Sequence, residues 1–257
     1  MTKTRNRHLY ECKACRYQST VTAGTVMHRT GNELVKWFPA IFLVSHDKRG
    51  ISASGLSREI KVTYKTAWLM LHKIRQAMRK RDAEFVLAGL VEMDDSFFGA
   101  PTEGGKRGRG TTKTKVMAGL SLNKQGHPLY IKMEVVPDLK TKTVAGFAQG
   151  RFKPGSVISS DAYHSYRKLS DFGFIHEYQV YSKEENPDHL KWLHTAIPNA
   201  KAFIGGTFHG PDSRHLQSYL DEFCYRFNRR KFKGEWFSRL LKLCSSTGTI
   251  TYSELVG

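Results

Sequence analysis

FVLAGLVEMDDSFFG, residues 85–99, is the stretch whose reading decides the fold. It opens on an apolar run, Phe85 to Ala88 with Leu90 and Val91, and closes on the acids Glu92, Asp94 and Asp95. An apolar run of this length bounded by turn residues predicts a buried strand. Carboxylates at its far end must be paired, hydrated or metal-bound, because a bare buried charge is costly. A strand running out into solvent with a polar tip would read the same way in isolation. VISSDAYHSY, residues 157–166, repeats the plan: a short β-branched run, then Asp161, then a helix-like segment. Two acids at the ends of two core strands point to a hard-cation site.

The chain has 257 residues, enough for one large domain or a medium domain with a small one. Its 41 basic and 23 acidic side chains leave a net charge of +18. That excess favours a polyanionic partner, since each phosphate contact releases counterions. The start, MTKTRNRHLY, is basic with no apolar stretch behind it, unlike a secretory leader. The longest apolar runs fall short of a membrane span, so no membrane partner is expected. Four cysteines without a secretory signal suit a reducing cytoplasm.

Residues 1–30 are basic and contain Cys12-Lys13-Ala14-Cys15, a single CxxC. Such a pair supplies half of a tetrahedral zinc site. No second pair lies nearby, and His8 and His28 match no familiar spacing, so Cys12 and Cys15 stand as zinc candidates or as free thiols. In residues 31–82, Leu34, Trp37, Phe38, Ile41 and Phe42 recur at helical spacing. Ser52 can cap a short second helix, and Thr63 a third one reaching about Arg81. The order reads as helix-turn-helix, with Lys65 and Arg75 available to DNA, or as a plain three-helix bundle with a basic face. The basic excess favours DNA contact.

Residues 83–232 carry the acidic strands. PTEGGKRGRGTTKTK, residues 101–115, reads as a loop able to grip a phosphate backbone through Lys106, Arg107 and Arg109, or as a solubilising loop. Residues 115–122 and 129–136 predict a hairpin, the second strand alternating at Leu129, Ile131, Met133 and Val135. A helix over 141–150, a strand over 157–160, a short helix and a strand over 174–181 complete the order β-β-β-α-β-α-β. Arg229 and Arg230 sit among aromatics in YRFNRRKFKGEW and predict a basic DNA-facing patch. Residues 233–257 predict a last helix and tail.

That order is the ribonuclease-H-like nuclease plan. VEMDDSFFG, SSDAYHSY, LHTAIPNAKAFIGGTFHG and LQSYLDEFCYRFNRR resemble, in order, the motifs of bacterial insertion-sequence transposases of the ISXO-like group. CKACRYQSTVTAGTVMHRT and the helices through IRQAM resemble the zinc ribbon and helix-turn-helix that precede the nuclease there. The resemblance covers nearly the whole chain. It lacks the family's earlier CPxC-type knuckle, so a shortened N-terminus with a partial zinc-ribbon remnant is expected, and Asp94-Asp95 replaces the usual Asp-Glu. The implied fold is α/β, a ribonuclease-H-like mixed sheet flanked by helices.

The resemblance implies DNA strand cleavage and strand transfer by in-line phosphoryl transfer with Mg²⁺ or Mn²⁺. It implies double-stranded DNA, both element ends and target, as partner, a homo-oligomer on that DNA, and a bacterial cytoplasm with nucleoid association. Asp94 and Asp161 would be catalytic metal ligands. Part of the family has Asn then Lys at the third position, which matches Asn199-Ala200-Lys201: Asn199 as ligand, Lys201 on the scissile phosphate or leaving oxygen. Glu222 competes for that position, against a helix-surface ion pair with Arg226 or Arg229. Two other functions share these features: an inactive truncated derivative that only binds DNA, and a host nuclease or resolvase of the same fold.

Overall fold

The computed structural model describes residues 2–4, 9–99, 108–180, 182, 184–232 and 234–256. The chain divides into two compact units, Met1–Arg81 with Phe232–Gly257, and Asp82–Lys231.

In the first unit, β1 (Thr2–Thr4), β2 (Leu9–Glu11) and β3 (Gln18–Thr20) form an antiparallel sheet, with Cys12 to Cys15 in the β2–β3 turn. Three helices follow: α1 (Leu34–His46), α2 (Ala53–Ile60) and α3 (Tyr64–Ala83). The expected caps are in place. Ser52 Oγ accepts from the Gly55 N–H at 3.0 Å, and Thr63 Oγ1 from the Thr66 N–H at 3.2 Å. Each satisfies a helix-end donor that would otherwise have no partner. Lys61, left-handed at φ 52°, turns the chain between α2 and α3. Trp37, Ile41, Leu56, Ile60, Met70 and Ile74 are buried, as their helical spacing requires. α7 (Trp236–Ser246) and α8 (Ser253–Val256) complete this unit.

The second unit is a mixed five-stranded sheet flanked by helices. Its strands are β4 (Leu90–Phe98), β5 (Thr114–Leu122), β6 (Pro128–Val136), β7 (Val157–Ser160) and β8 (Ile175–Tyr178), in the order β6-β5-β4-β7-β8. β4, β5 and β6 are antiparallel neighbours, whereas β7 runs parallel to β4 and β8 to β7. Period-two alternation sends Val91 and Met93 to one face, packed with α4 (Thr141–Arg151) and Tyr166. Phe98 faces the other, with Val116, Leu120 and Ile131, under α5 (Lys191–Phe208) and α6 (Leu216–Asn228).

β4 starts later than the apolar run suggests. Gly89, at φ +80°, breaks the chain direction, and Leu87 only bridges to Phe152. The acids therefore lie inside β4 rather than at its end, and alternation splits them between the two faces. The helix expected after β7 is a short 3-10 turn, Leu169–Phe172.

Two packing details fix the sheet. Gly119 in β5 lies under Phe152, where an added Cβ would stand 2.5 Å from the ring. Gly119→Ala is expected to lower stability by about 1–3 kcal/mol, read in a denaturant melt; an unchanged midpoint would show that the ring moves freely. β6 is an edge strand, and α6 covers its open backbone groups with amide side chains. Asn228 Oδ1 accepts from the Ile131 N–H at 2.7 Å while its Nδ2 donates to the Ile131 carbonyl at 3.1 Å. Gln217 does the same at Val135 and Met133, at 2.8 and 3.1 Å. These contacts satisfy buried backbone groups and block strand addition at that edge.

Candidate active site

β4 and β7 run side by side with Met93 opposite Ser160, and Asp94 and Asp161 each follow that pair by one residue. Neighbouring strands are about 4.8 Å apart, so parallel pairing alone brings these two carboxylates to one end of the sheet. Asp94 shares a face with Glu92, and each meets the start of α5. Glu92 is buried and its Oε2 accepts from the Leu193 N–H at 2.7 Å. Burial holds its carboxyl above the usual range, while the N–H groups of Leu193 and Trp192 pull it back. An acid here ties down N–H groups in the first turn of α5 that have no partner within the helix, where the helix dipole also favours negative charge.

His194, the next residue, lies with Nε2 3.5 Å from Asp94 Oδ2. That contact raises the imidazole pKa against the effect of its burial, with Asp94, Glu92 and Asp161 adding charge attraction. Lys201 lies two turns further along α5, on the same flank at about 100° per residue; burial and the neighbouring Lys113 lower its pKa, and the charge of Asp94 opposes that shift. Pro198, inside the helix, has no N–H to give the His194 carbonyl. Asn199 is exposed and lies about 200° around the helix from Lys201. The structure thus gathers Asp94, Asp161, His194 and Lys201, and sets Asn199 on another side of α5. Glu222 is buried on α6 in an ion pair with Arg226 at 2.7 Å, the arrangement expected of a structural acid.

Asp95 points to the opposite face from Asp94, and its side chain is 3% exposed. Tyr166 Oη donates to its Oδ1 at 2.6 Å. Arg109 reaches the same oxygen through Nη2 at 2.7 Å and Nε at 3.1 Å, and donates from Nη2 to Asp161 Oδ2 at 2.9 Å. Its guanidinium also stacks on Tyr163 at 3.7 Å. The other Asp161 oxygen accepts from the Tyr163 N–H at 3.0 Å. Burial raises the Asp95 pKa, opposed by Tyr166 and Arg109. Burial works against the Arg109 charge, but Asp161 and Asp95 outweigh it and lift its pKa above the usual value. Arg109 therefore cross-links the acid behind β4 to the acid after β7. Its sequence context suggested a phosphate contact or a solubilising loop, because charge in a glycine-rich loop does not reveal direction.

The other basic candidates separate in the same way. Lys65 is exposed in the first turn of α3, whereas Arg75 is 2% exposed. Arg229 pairs with Asp82 at 2.7 Å and stacks on Tyr225 at 3.7 Å. Arg230 donates to the carbonyls of Pro128, Leu129 and Phe227. Lys106 and Arg107 lie outside the described residues. Cys12 and Cys15 form no disulfide, and Cys12 is held below its usual pKa by the backbone N–H groups of Cys15 and Ala14 and by the Cys15 side chain. Among the described residues, no group of three or more His, Cys, Asp or Glu side chains is arranged to hold a metal. Among them, too, no helix is long and apolar enough to cross a membrane.

Comparison with known proteins gives the chain its relatives. It is 27% identical over 103 residues to an uncharacterized transposase-like protein of Haemophilus influenzae, covering 39% of this chain and 83% of that one. Among solved structures, the catalytic core domain of BIV integrase aligns over 56% of this chain and 85% of its own, with TM-score 0.39 and 13% identity. The Mos1 transposase paired-end complex aligns over 86% and 82%, with TM-score 0.24 and 11% identity. The ISXO2-like transposase domain model matches residues 86–228, more than half the chain, and with β4, β7, α5 and α6 all inside that match the protein belongs to the ISXO2-like transposase family.

Proposed function

We propose that the chain is an active DNA transposase, which binds the ends of its element, cleaves a strand there and joins the freed 3′-hydroxyl to target DNA. The observation that carries this reading is the placement of Asp94 and Asp161 on adjacent parallel strands beside His194 and Lys201. Within a transposase family, that is the chemistry a phosphodiester needs: oxygen ligands for a cation beside fixed positive charge.

Asp94 and Asp161 offer hard oxygen donors, and each keeps lone pairs beyond the hydrogen bonds described. Two carboxylates with waters completing the shell suit Mg²⁺, which binds few protein ligands and dehydrates reluctantly. When bound, the metal would supply Lewis-acid charge to the phosphate oxygens and lower the pKa of an attacking water. The chain's own residues do the rest. Glu92 anchors α5 so that His194 meets Asp94. Lys201 brings an ammonium to the same cleft, where it can hold a phosphate oxygen. Arg109 and Tyr163 fix the rotamer of Asp161, so the two carboxylates stay aligned. Lys65, on the exposed start of α3, is a phosphate contact for the duplex.

The test is strand cleavage on duplex DNA carrying the flanking element's own ends. Nicks at the element boundary with Mg²⁺ or Mn²⁺, and none with a chelator, are expected. Binding to those ends without any cleavage, under either metal, would instead favour the DNA-binding derivative. The third position is tested in the same assay. Motif context assigns it to Asn199, whereas the described geometry presents His194 to Asp94. The larger loss of cleavage is expected from His194→Ala; a folded Asn199→Ala protein that binds ends but has lost all cleavage would return the role to Asn199.

A further inference from the structure

β7 ends at Ser160, which pairs with Met93 on one side and Tyr178 on the other, and Asp161 is the first residue beyond it. Cross-strand pairing stops there, so other groups must hold the backbone that carries the carboxylate. Ser160 is fully buried, and two histidines from different elements meet its polar groups. Its hydroxyl donates to the Asp161 carbonyl at 2.9 Å. That uses its one proton, so His176 Nε2, 2.8 Å away, is the donor to Oγ. The Ser160 carbonyl accepts from His189 Nε2 at 3.1 Å and from the Gln179 N–H at 3.2 Å. A carbonyl only accepts, so His189 also carries a proton on Nε2.

His176 lies in β8 opposite Ile158, on the face of the sheet to which Ser160 also points. His189 is 9% exposed and ends the segment that leads, through the left-handed Leu190, into α5. α5 is thus tied to both acid-bearing strands, to β4 through Glu92 and Leu193 and to β7 through His189 and Ser160. A buried chain of such bonds fixes one arrangement and is costly to leave half made. We propose that His176 and His189 are positioning residues that act through Ser160 to set the backbone at Asp161, and with it the separation of its carboxylate from that of Asp94. The proposal takes from the transposase reading only the metal role of Asp161. Arg109 and Tyr163 hold the Asp161 side chain, and the two histidines hold the main chain from which it projects. Two carboxylates share a cation only at a fixed separation, so a loosened Asp161 would weaken the metal before it harmed the fold.

The experiment measures Mn²⁺ binding to the full chain without DNA, read from the EPR signal of the free ion. The site followed is the one that Asp161→Asn abolishes. His176→Ala, His189→Ala and Ser160→Ala are each expected to weaken it about tenfold, the lower end of what loss of an outer support costs. His176→Ala with Ser160→Ala should weaken it no further than either alone, since both break one chain of bonds, whereas His176→Ala with His189→Ala should weaken it more. His176→Gln and His189→Gln place an amide N–H near the lost Nε2 and are expected to recover most of the affinity, with thermal melts confirming folding. A folded His176→Ala or His189→Ala protein with wild-type Mn²⁺ affinity would overturn the proposal. So would glutamine variants no better than the alanine ones, or a wild type with no Asp161-dependent Mn²⁺. Cleavage of element ends is read separately, so the two readings fail apart. Unchanged Mn²⁺ affinity in the variants of a protein that cuts removes only the positioning roles. Weakened and rescued binding in a protein that never cuts keeps them and removes the transposase reading.

Discussion

Asp161→Asn is expected to abolish DNA strand cleavage, by roughly 10³-fold or more, while binding to element ends stays within about twofold. The size follows from several kcal/mol of metal-supplied charge stabilisation, each 1.36 kcal/mol being a factor of ten. Asp94→Asn should behave alike, since the two residues follow the same cross-strand pair. Asp95→Asn, on the opposite face, should keep measurable cleavage. Single-turnover kinetics on pre-bound ends, with Mg²⁺ titrated, separates the three. A folded Asp161→Asn protein that cuts at the wild-type rate would remove Asp161 from the chemistry.

Arg109→Ala carries the second large effect. The guanidinium holds Asp161 from behind β4, and loss of such an outer support lowers metal affinity or activity by about 10–100-fold. Raised Mg²⁺ should recover part of the rate. Arg109→Lys should recover less than the full rate, because one ammonium cannot reproduce the forked contacts to Asp95 and Asp161. A variant whose metal requirement is unchanged and whose DNA affinity falls would make Arg109 a phosphate contact instead. Stability should shift as well. The Asp95 pKa is already raised by burial, and Arg109 opposes that rise. A carboxyl whose folded pKa lies above its unfolded value stabilises the fold only while protonated, and that contribution disappears as pH rises through the folded pKa. Without Arg109 the folded pKa climbs further, so Tm should fall more steeply from acid to neutral pH than in the wild type.

Much of this was legible in the sequence, for identifiable reasons. Strict alternation marked β6 at Leu129, Ile131, Met133 and Val135, and a β-branched run marked β7 with Asp161 just beyond it. The acidic stretch of β4 marked the candidate site through residue types alone, three carboxylates directly behind an apolar run. Its internal arrangement was harder to see, because Gly89 delays the strand and alternation then separates Asp94 from Asp95. His194 was hidden for want of a partner in its own segment; its role depends on Glu92 seating the first turn of α5, a contact spanning about a hundred positions. A helical wheel does carry part of that signal: His194 and Lys201, seven residues apart, share a flank that Asn199 does not. At the far end of the second unit, charge alone did not give direction. Arg229 and Arg230 read as a DNA patch, yet their guanidinium groups fasten α6 to Asp82 and to carbonyls of the β6 region. A basic cluster states how much charge there is and says nothing about where it points.

The claim on which the account turns is that Asp94 and Asp161 together hold the metal. Loading the chain with Fe²⁺ in place of Mg²⁺, then adding ascorbate and peroxide, cuts the backbone wherever the ion resides, and the fragments can be mapped by mass spectrometry. Cuts are expected within β4 around Asp94 and in the turn at Asp161, suppressed by excess Mg²⁺ and lost in Asp161→Asn. Cuts that avoid both segments, or that persist unchanged in a folded Asp161→Asn protein, would contradict it.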